Sequence, residues 1–326
     1  MNRNLAKKIG KFFIISLLVY TGISLGLIFW PINRDKNTEN YDYSGIEEAV
    51  SPKLGDELWV ETKNNYKLFN RIYPSSSDDV MILVHGSGSD SRYLSDLANQ
   101  IADEKIATVL TPDMRGHGRN TGEKGYLDYI GQLEDDMKEI ISYCKKELEA
   151  KNIILAGHSS GGGFVLRYIG NTENTKIDKA ILLSPYLGHK SKAAKPNSGG
   201  WVQIALPRII GLSMLNNIGL SSLNHLPVLF FNRPDNINDD LQSPHYSYNM
   251  TMNFNPDNSV EEIKNLSTPS LVLVGREDES FFPEEFPIAF EAAAEYTEVA
   301  IIEDAKHLDI VQNKKAFQLI KNWNNK

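Results

Sequence analysis

A serine between two glycines follows a short apolar run and has the surroundings of a nucleophile. The residues Gly157-His158-Ser159-Ser160-Gly161 come directly after Ile153-Ile154-Leu155-Ala156. A strand that ends in so sharp a turn crowds the adjacent backbone, and glycine on either side removes the clash. The turn leaves the hydroxyl of Ser159 where a carbonyl carbon can reach it. This pattern alone occurs by chance in many chains, but the preceding strand and the helix-like residues 162–168 are the context that it needs.

A serine hydroxyl is a weak nucleophile at neutral pH, so Ser159 needs a base within hydrogen-bond reach and a third group to orient that base. His307 follows the last apolar run, where a short loop leaves its imidazole at the carboxyl edge of a sheet. We therefore predict His307 as the base. The other histidines lie in glycine-bounded turns, inside the Ser159 turn or in a long later interval: His85, His117, His158, His189, His225 and His245.

The acid that orients the histidine is expected in the loop after the preceding strand. The residues Gly275-Arg276-Glu277-Asp278-Glu279 follow the apolar run 271–274 directly. We predict Asp278 as this acid. Three other carboxylates compete with it, namely the adjacent Glu277 and Glu279 and, less well placed, Asp304.

Negative charge that develops on a substrate oxygen needs fixed backbone N–H donors. The N–H of Ser160, directly after the proposed nucleophile, is one candidate. The loop His85-Gly86-Ser87-Gly88 follows another apolar run, and its glycines let the backbone turn toward Ser159. We predict the N–H of Ser87 as the second donor. The alternative is that this loop is an ordinary strand-to-helix connection.

Apolar strands alternate with amphipathic helices along most of the chain, after a hairpin predicted from 58–62 and 66–73. The predicted strands are 80–84, 107–110, 153–156, 180–183, 270–274 and 298–302. The predicted helices are 93–104, 129–148, 162–169, 284–295 and 309–323. This alternation is typical of the α/β class, with a mainly parallel sheet covered by helices on both faces.

The interval 188–265 interrupts the alternation and is far too long for an ordinary connection. It carries more aromatic and aliphatic residues than a solvated loop, which indicates a cap over the site. The alternative is a decorative subdomain with its own small core. The core of the fold then consists of residues 56–187 and 266–326.

The amino-terminal segment predicts a membrane anchor over residues 12–31. Phe12 to Trp30 is uncharged and would span roughly 28 Å as a helix, close to the thickness of a bilayer core. Basic residues in the segment 1–11 keep the amino terminus cytoplasmic, and a polar linker at 32–55 leads to a catalytic domain outside the cell membrane. The alternative is a cleaved secretory signal, although Phe29-Trp30-Pro31-Ile32 offers no small-residue cleavage site.

Composition excludes several classes of function. The chain has 326 residues, enough for a full core, and a formal net charge of -8, which offers no basic surface for nucleic acid. Its single cysteine, Cys144, lies at helical spacing with apolar residues and is predicted to pack in the core. No spacing of histidines and cysteines indicates a metal site, and we predict no cofactor.

Taken together, these motifs resemble those of α/β-hydrolases of the serine aminopeptidase-like group, which includes monoacylglycerol lipases and lysophospholipases. The resemblance covers residues 78–323. The motifs are His85-Gly86-Ser87-Gly88, Pro112-Asp113-Met114-Arg115-Gly116-His117-Gly118, Gly157-His158-Ser159-Ser160-Gly161, Gly275 with Asp278, and His307. The resemblance implies a Ser159-His307-Asp278 triad, oxyanion donors at Ser87 and Ser160, a cap, and a structural turn at Asp113 and His117. The chain departs from the pattern at Asn120, where lipase-like members commonly carry serine.

The sequence therefore predicts a membrane-anchored serine hydrolase that cleaves carboxylic esters, with a lipid-like or acyl ester as substrate. An aminopeptidase of short peptides is the alternative enzyme, and it needs an acidic pocket that Asp235, Asp239 and Asp240 would supply. The non-enzymatic alternative is a tethered binding module that has kept the fold and lost turnover.

Overall fold

The computed structural model describes residues 3–32, 53–232 and 239–326. In chain order the strands are β1 (Asp56–Glu61), β2 (Lys67–Tyr73), β3 (Asp79–Val84), β4 (Thr108–Pro112), β5 (Asn152–His158), β6 (Lys179–Leu183), β7 (Val202–Ile204), β8 (Pro227–Phe231), β9 (His245–Ser247), β10 (Ser270–Gly275) and β11 (Thr297–Ile302). The α-helices are α1 (Arg3–Ile28), α2 (Ser95–Asp103), α3 (Gln132–Glu147), α4 (Ser160–Gly170), α5 (Leu206–Asn216), α6 (Tyr248–Asn253), α7 (Ser259–Lys264), α8 (Glu285–Ala289) and α9 (Lys314–Asn324). Short 3₁₀ helices cover Ser91–Leu94, Pro196–Gly200, Glu291–Ala293 and Asp309–Val311.

The central sheet has eight strands in the order β1-β2-β4-β3-β5-β6-β10-β11. The first two form the predicted hairpin, and β2 also pairs antiparallel with β4. All pairs from β4 to β11 are parallel. Because the carboxyl ends of parallel strands meet at one edge, the loops after β3, β5, β10 and β11 converge there.

Both faces of the sheet are covered, as continuous apolar strands require. Along β3, the side chains of Val80 and Ile82 belong to one buried cluster and those of Met81 and Leu83 to the other. Cys144 of α3 is also buried in the first cluster, so its predicted packing role is confirmed. The mainly parallel sheet with helices on both faces is therefore confirmed.

Three predicted helices have different bounds in the structure. α3 begins at Gln132 rather than Tyr129, because Gly131 adopts a φ of 107° that no helix continues. The helix predicted over 309–323 is divided, and Asn313 caps α9 by accepting hydrogen bonds from two backbone N–H groups. The helix predicted over 284–295 is wrong in length, since α8 ends at Ala289 and contains Pro287, which has no N–H to donate.

The insertion, residues 188–265 between β6 and β10, contains a second, three-stranded sheet. Its strands lie in the order β7-β8-β9, and both pairs are antiparallel. On β8, Val228 packs in a small cluster with Leu212 of α5, whereas Leu229 on the opposite face packs against the main core. The small sheet is therefore a partition between the main domain and α5.

The amino-terminal helix α1 has the length and hydropathy that a membrane span requires, with 11% of its most apolar window buried. A signal sequence has the same properties. The carboxyl-terminal half of α1 packs on α5 of the insertion, and Ile28 is fully buried there. The predicted linker 32–55 lies largely outside the described residues.

One buried side chain of the insertion fixes the start of α3. The Asn253 Oδ1 accepts hydrogen bonds from the N–H groups of Gly131 (2.9 Å) and Leu133 (3.1 Å). Its amide also donates to the Glu134 carboxylate, which in turn accepts a hydrogen bond of 2.6 Å from Arg167 Nε. Asn253 therefore joins the insertion to two helices of the main domain.

We expect Asn253→Ala to lower the free energy of unfolding by roughly 1 to 3 kcal/mol, because buried partners lose their hydrogen bonds. Urea unfolding of the detergent-solubilised full chain measures this change. The control is Asn322→Ala, at an exposed position of α9, with an expected change below about 0.5 kcal/mol. Equal losses in the two variants would contradict the proposed role of Asn253.

Candidate active site

Ser159 lies in the sharp turn between β5 and α4 that the sequence predicts. Its φ of 56° and ψ of -121° are a strained conformation for a residue with a side chain. A Cβ on Gly157 would lie 2.4 Å from the Gly161 carbonyl oxygen, and one on Gly161 would lie 2.4 Å from the His85 carbonyl oxygen. Both flanking positions therefore require glycine, and the loop after β3 touches the turn.

The structure brings the three predicted polar side chains together. His307 Nε2 lies 2.9 Å from the hydroxyl oxygen of Ser159. His307 Nδ1 lies 2.9 Å from Asp278 Oδ2. With Nδ1–H donating to the carboxylate, Nε2 is the acceptor that faces the serine hydroxyl. This is the arrangement that activates a serine for attack on a carbonyl carbon.

Asp278 is held as a carboxylate by its surroundings. Burial opposes its ionisation, but the adjacent His307 imidazole and the hydrogen bonds to the carboxylate outweigh burial, so the pKa of Asp278 lies below its ordinary value. Its Oδ1 accepts hydrogen bonds from the N–H groups of Ser280 (2.9 Å) and Phe281 (3.0 Å). These bonds fix the orientation of the carboxyl group.

The competing carboxylates lie elsewhere. Glu277 is exposed, and Asp304 is exposed on the far side of the histidine loop, 3.5 Å from Lys315 Nζ. Glu279 accepts a hydrogen bond of 2.9 Å from the backbone N–H of His307. Glu279 therefore holds the loop of the histidine, while Asp278 alone of these four acids contacts its ring.

A second histidine supports the first, and sequence reasoning missed its contribution. His158 Nε2 lies 3.0 Å from the carbonyl oxygen of His307, and His158 Nδ1 lies 2.9 Å from the hydroxyl of Tyr93. That hydroxyl accepts a hydrogen bond of 2.6 Å from the N–H of Gly86. Burial, and then the nearby His307, lower the pKa of His158 to about 3, so its ring is neutral. The bonds join the loops after β3, β5 and β11.

The loop that carries Ser87 is fixed on both sides. On one side the N–H of Gly86 donates to the hydroxyl of Tyr93, and on the other the N–H of Gly88 donates to the hydroxyl of Tyr246 at 2.5 Å. That hydroxyl lies 2.6 Å from His117 Nε2. The hydroxyls of Ser87 and Ser160 contact each other, so the two predicted donor residues are neighbours. The sequence contains no spacing pattern that relates Tyr246 to this loop.

The turn after β4 is structural, as expected. Asp113 accepts hydrogen bonds from the N–H groups of Ser91 (2.8 Å) and Arg119 (2.7 Å). Asn120, where the chain departs from the family pattern, accepts a hydrogen bond of 2.8 Å from the N–H of Phe69 and donates to the Asp113 carbonyl. Asn120 therefore ties this turn to β2 and does not contact Ser159.

A cavity of about 250 Å³ opens over Ser159. Its walls come from the main domain and from the insertion, which contributes apolar side chains including Trp201, Ile204 and Leu229. No Asp or Glu side chain lines it among the described residues, and its basic lining residues are His189 and Lys195. The described lining of the cavity therefore offers an apolar surface to a substrate and no carboxylate to hold an amine.

The insertion is bonded directly to the loop of the acid. Lys195 Nζ donates to the carbonyl oxygen of Asp278 at 2.6 Å, and the backbone N–H of Lys195 donates to the Ser280 carbonyl at 3.0 Å. Ala194 also forms a β-bridge with Phe281. The first residues of the insertion thus pack on the same loop that carries the carboxylate.

Asp239 and Asp240, which were considered for an amine-binding pocket, do not line the cavity. Asp239 accepts a hydrogen bond of 2.6 Å from Arg92, which also pairs with Asp90, and Asp240 is exposed. Asp235 lies outside the described residues.

A family model described as "Serine aminopeptidase, S33" matches residues 75–311. The chain belongs to this family. The protein phosphatase methylesterase 1 of Candida albicans is 28% identical to it over 138 residues, which are 42% of this chain and 36% of that protein. The monoglyceride lipase homolog of monkeypox virus is 30% identical over 114 residues, 35% of this chain and 39% of that protein. The chain thus matches well under half the length of these relatives.

Solved structures share the fold of this S33 family member. The monoacylglycerol lipase of Paleococcus ferrophilus gives a TM-score of 0.56 at 23% identity, covering 79% of this chain and 98% of that one. A soluble variant of the monoglyceride lipase of Saccharomyces cerevisiae, in complex with a substrate analog, gives 0.61 at 16% identity, covering 84% and 94%. The α/β-hydrolase fold predicted from the sequence is confirmed, in the group that includes monoglyceride lipases.

Because the folded chain keeps His158 neutral, acid should destabilise it. The pKa of His158 is about 3 in the fold and 6.5 ordinarily, so this stability is complete above pH 6.5 and is lost as pH falls toward 3. Burial lowers the pKa values of His85 and His117 in the same direction. For His158, the free energy of unfolding should fall by about 1.4 kcal/mol for each pH unit within that window.

We therefore expect the free energy of unfolding of His158→Gln to depend less steeply on pH between about pH 6 and 4 than that of the unchanged chain. The two slopes should differ by the contribution of one histidine. Urea unfolding at a series of pH values measures it. At about pH 8 the imidazole is neutral in both states, so the difference there reports the changes in packing and hydrogen bonding without any contribution from protonation. Curves that remain parallel down to pH 4 would disprove the linkage.

Proposed function

We propose that the chain is a membrane-anchored serine hydrolase that cleaves carboxylic esters through an acyl-enzyme. The observation that carries this proposal is the continuous hydrogen bonding from the Ser159 hydroxyl through His307 to Asp278, at 2.9 Å for each contact. All three groups lie at one edge of the sheet, beside the cavity.

In the proposed mechanism, His307 Nε2 accepts the hydroxyl proton as the Ser159 oxygen attacks the ester carbonyl carbon. The negative oxygen that forms is stabilised by the N–H groups of Ser87 and Ser160, each contributing roughly a hundredfold in rate or more. The protonated imidazole then donates its proton to the leaving alcohol. Water, activated by the same nitrogen, releases the acid from Ser159. Asp278 stabilises the imidazolium and keeps the required tautomer.

A lipid-like or other acyl ester is the proposed substrate. The insertion contributes Trp201, Ile204 and Leu229 to a cavity of about 250 Å³, below the usual size for ligands of drug size. Such a cavity fits one acyl chain, and we propose that the insertion acts as a cap over it. The family model carries the description of a serine aminopeptidase, but no carboxylate lines the described cavity, so we favour the ester over a peptide with a free amine.

We also propose that α1 crosses the cell membrane with its amino terminus in the cytoplasm. The basic residues Arg3, Lys7, Lys8 and Lys11 precede the uncharged run, which supports this orientation. The catalytic domain then lies on the extracytoplasmic side.

A fluorophosphonate probe, which reacts with activated serines, tests the nucleophile. We expect stoichiometric labelling of the full chain and complete loss of labelling in Ser159→Ala, because the attacked oxygen is absent. Mass spectrometry of the labelled peptide checks the site. Ser222→Ala, an exposed serine of the insertion, is the control and should label at the normal rate. Labelling that persists in Ser159→Ala would falsify the assignment.

The choice of acid is tested by hydrolysis of a water-soluble short-chain acyl ester. We expect Asp278→Asn to lower kcat by about 10⁴-fold, because the imidazole loses its tautomer and the stabilisation of its charge. The matched control is Glu277→Gln. Because Glu277 is an exposed neighbour of Asp278, this variant should keep kcat within about twofold of that of the unchanged chain. The reverse result would move the role to Glu277.

A further inference from the structure

The amino-terminal helix does not merely precede the catalytic domain, because it packs lengthwise on α5 of the insertion. The Tyr20 hydroxyl donates to the Met214 carbonyl at 2.9 Å. Eight residues further along α1, the Ile28 carbonyl accepts a hydrogen bond of 3.0 Å from Arg208 Nε. The two helices therefore run antiparallel, with the end of α5 nearest Tyr20 and its beginning nearest Ile28.

A close contact between small residues lies between these two hydrogen bonds. A Cβ on Gly211 would lie 2.5 Å from the Ser24 carbonyl oxygen and 2.8 Å from a side-chain atom of Ile28. Ser24 is fully buried, and its hydroxyl donates to the Tyr20 carbonyl at 2.8 Å. Small residues that let two backbones approach, with polar groups satisfied within the pair, are typical of helix pairs inside a bilayer.

The surface beside this helix pair is apolar and uncharged. No Lys, Arg, Asp or Glu occurs between Arg208 and Arg233. Large apolar side chains of α5 and of the turn that follows it face outward: Leu206 (56% exposed), Ile210 (44%), Ile218 (39%) and Leu220 (49%). A water-soluble domain rarely groups such side chains beside an apolar helix without a partner to cover them.

The position of the contact along α1 identifies the partner. The uncharged run Phe12 to Trp30 matches the thickness of a bilayer core, at roughly 1.5 Å per residue. Ile28 belongs to the half of that run next to the catalytic domain, and Tyr20 lies beside its midpoint, Thr21. A helix that packs alongside this half lies at the depth of the lipid leaflet on that side.

We propose that α5 and the turn 217–220 are inserted in that leaflet beside α1, so that the insertion is embedded in the bilayer and the main domain stands above it. The proposal rests on the membrane span given under the proposed function. The single charged side chain of α5 fits this placement. Arg208 lies at the water-facing end of the pair, and its guanidinium donates to the carbonyls of Ile28 and Pro227 (2.7 Å).

This placement deepens the proposed function, because it brings the lipid leaflet close to the cavity. The small sheet separates α5 from the cavity: Val228 packs against α5 and Ile28, while its neighbour Leu229 lines the cavity over Ser159. An ester dissolved in the same leaflet therefore lies one strand layer away from the serine. The substrate class favoured is an ester that resides in the membrane rather than one dissolved in water.

Spin labels placed on the full chain in phosphatidylcholine vesicles test the placement. Labels at Ile210→Cys and Leu220→Cys should collide more with oxygen, which concentrates in lipid, than with a water-soluble nickel chelate. The control is Leu319→Cys, an exposed apolar position of α9 in the main domain, where the nickel chelate should dominate. Native Cys144 does not interfere, because burial raises the pKa of its thiol to about 12.

A second variant tests the helix contact itself. Gly211→Leu should force α5 away from α1, so the label at position 220 should become accessible to the nickel chelate. Gly22→Leu adds the same side chain to α1 where nothing lies within 4 Å, and it should leave that label in lipid. Hydrolysis of the short-chain ester by each labelled chain shows that the chain is folded. It also tests the proposed function independently of the depth of the label in the bilayer.

Three results would overturn the placement. The first is water exposure at positions 210 and 220 equal to that at 319. The second is spin–spin broadening at these positions that disappears on dilution with unlabelled chain, since a second copy would then cover the surface. The third is a label that stays in lipid in Gly211→Leu, since α5 would then lie in lipid without the contact with α1 from which the placement is argued. If ester hydrolysis is absent while the labels lie in lipid, the proposed function fails and the placement stands.

Discussion

The orientation of the His307 imidazole is the constraint on which the site depends. One ring nitrogen must face the Ser159 hydroxyl while the other faces Asp278, and each contact is 2.9 Å. Neither bond orients the loop that carries the ring. That loop is held through its backbone, by Glu279 at the N–H and by His158 at the carbonyl. A carboxylate and a neutral imidazole thus fix the position of the proposed base through its backbone.

The insertion belongs to the same network rather than lying over it as a separate unit. Tyr246 bonds the loop of Ser87, Lys195 bonds the loop of Asp278, and Asn253 caps α3. Tyr246 bonds Gly88, which is next to the predicted oxyanion residue Ser87, and Lys195 bonds the backbone carbonyl of the predicted acid Asp278. The walls of the cavity and the reacting groups are therefore positioned by shared bonds, and their geometries are not independent.

The sequence predicts the fold and the convergence of the polar groups well, because both follow from local patterns. Apolar runs of strand length followed by glycine turns determine where β3 and β5 end, and parallel pairing brings those ends to one edge. The order of motifs predicts the loop of the acid and the family resemblance favours Asp278 within it, and the structure adds the reason that Asp278 is buried whereas Glu277 is exposed.

What the sequence could not predict depends on contacts between distant segments. The bonds of His158 to Tyr93 and His307 join positions with no common spacing, and the same is true of Tyr246 and Gly88. The interruption near Phe290 and the delayed start of α9 depend on local backbone choices that hydrophobic spacing does not record. The packing of α1 on α5 is likewise absent from any motif.

The bridge between Ala194 and Phe281 has a consequence for how such an enzyme changes its specificity. A segment that shapes the pocket is paired, backbone to backbone, with the segment that carries the acid. Exchanging this stretch for that of another enzyme would therefore shift the carboxylate along with the pocket wall. Successful changes of specificity should arise on β7 and β8, whose side chains line the cavity and which do not pair with the segment of Asp278.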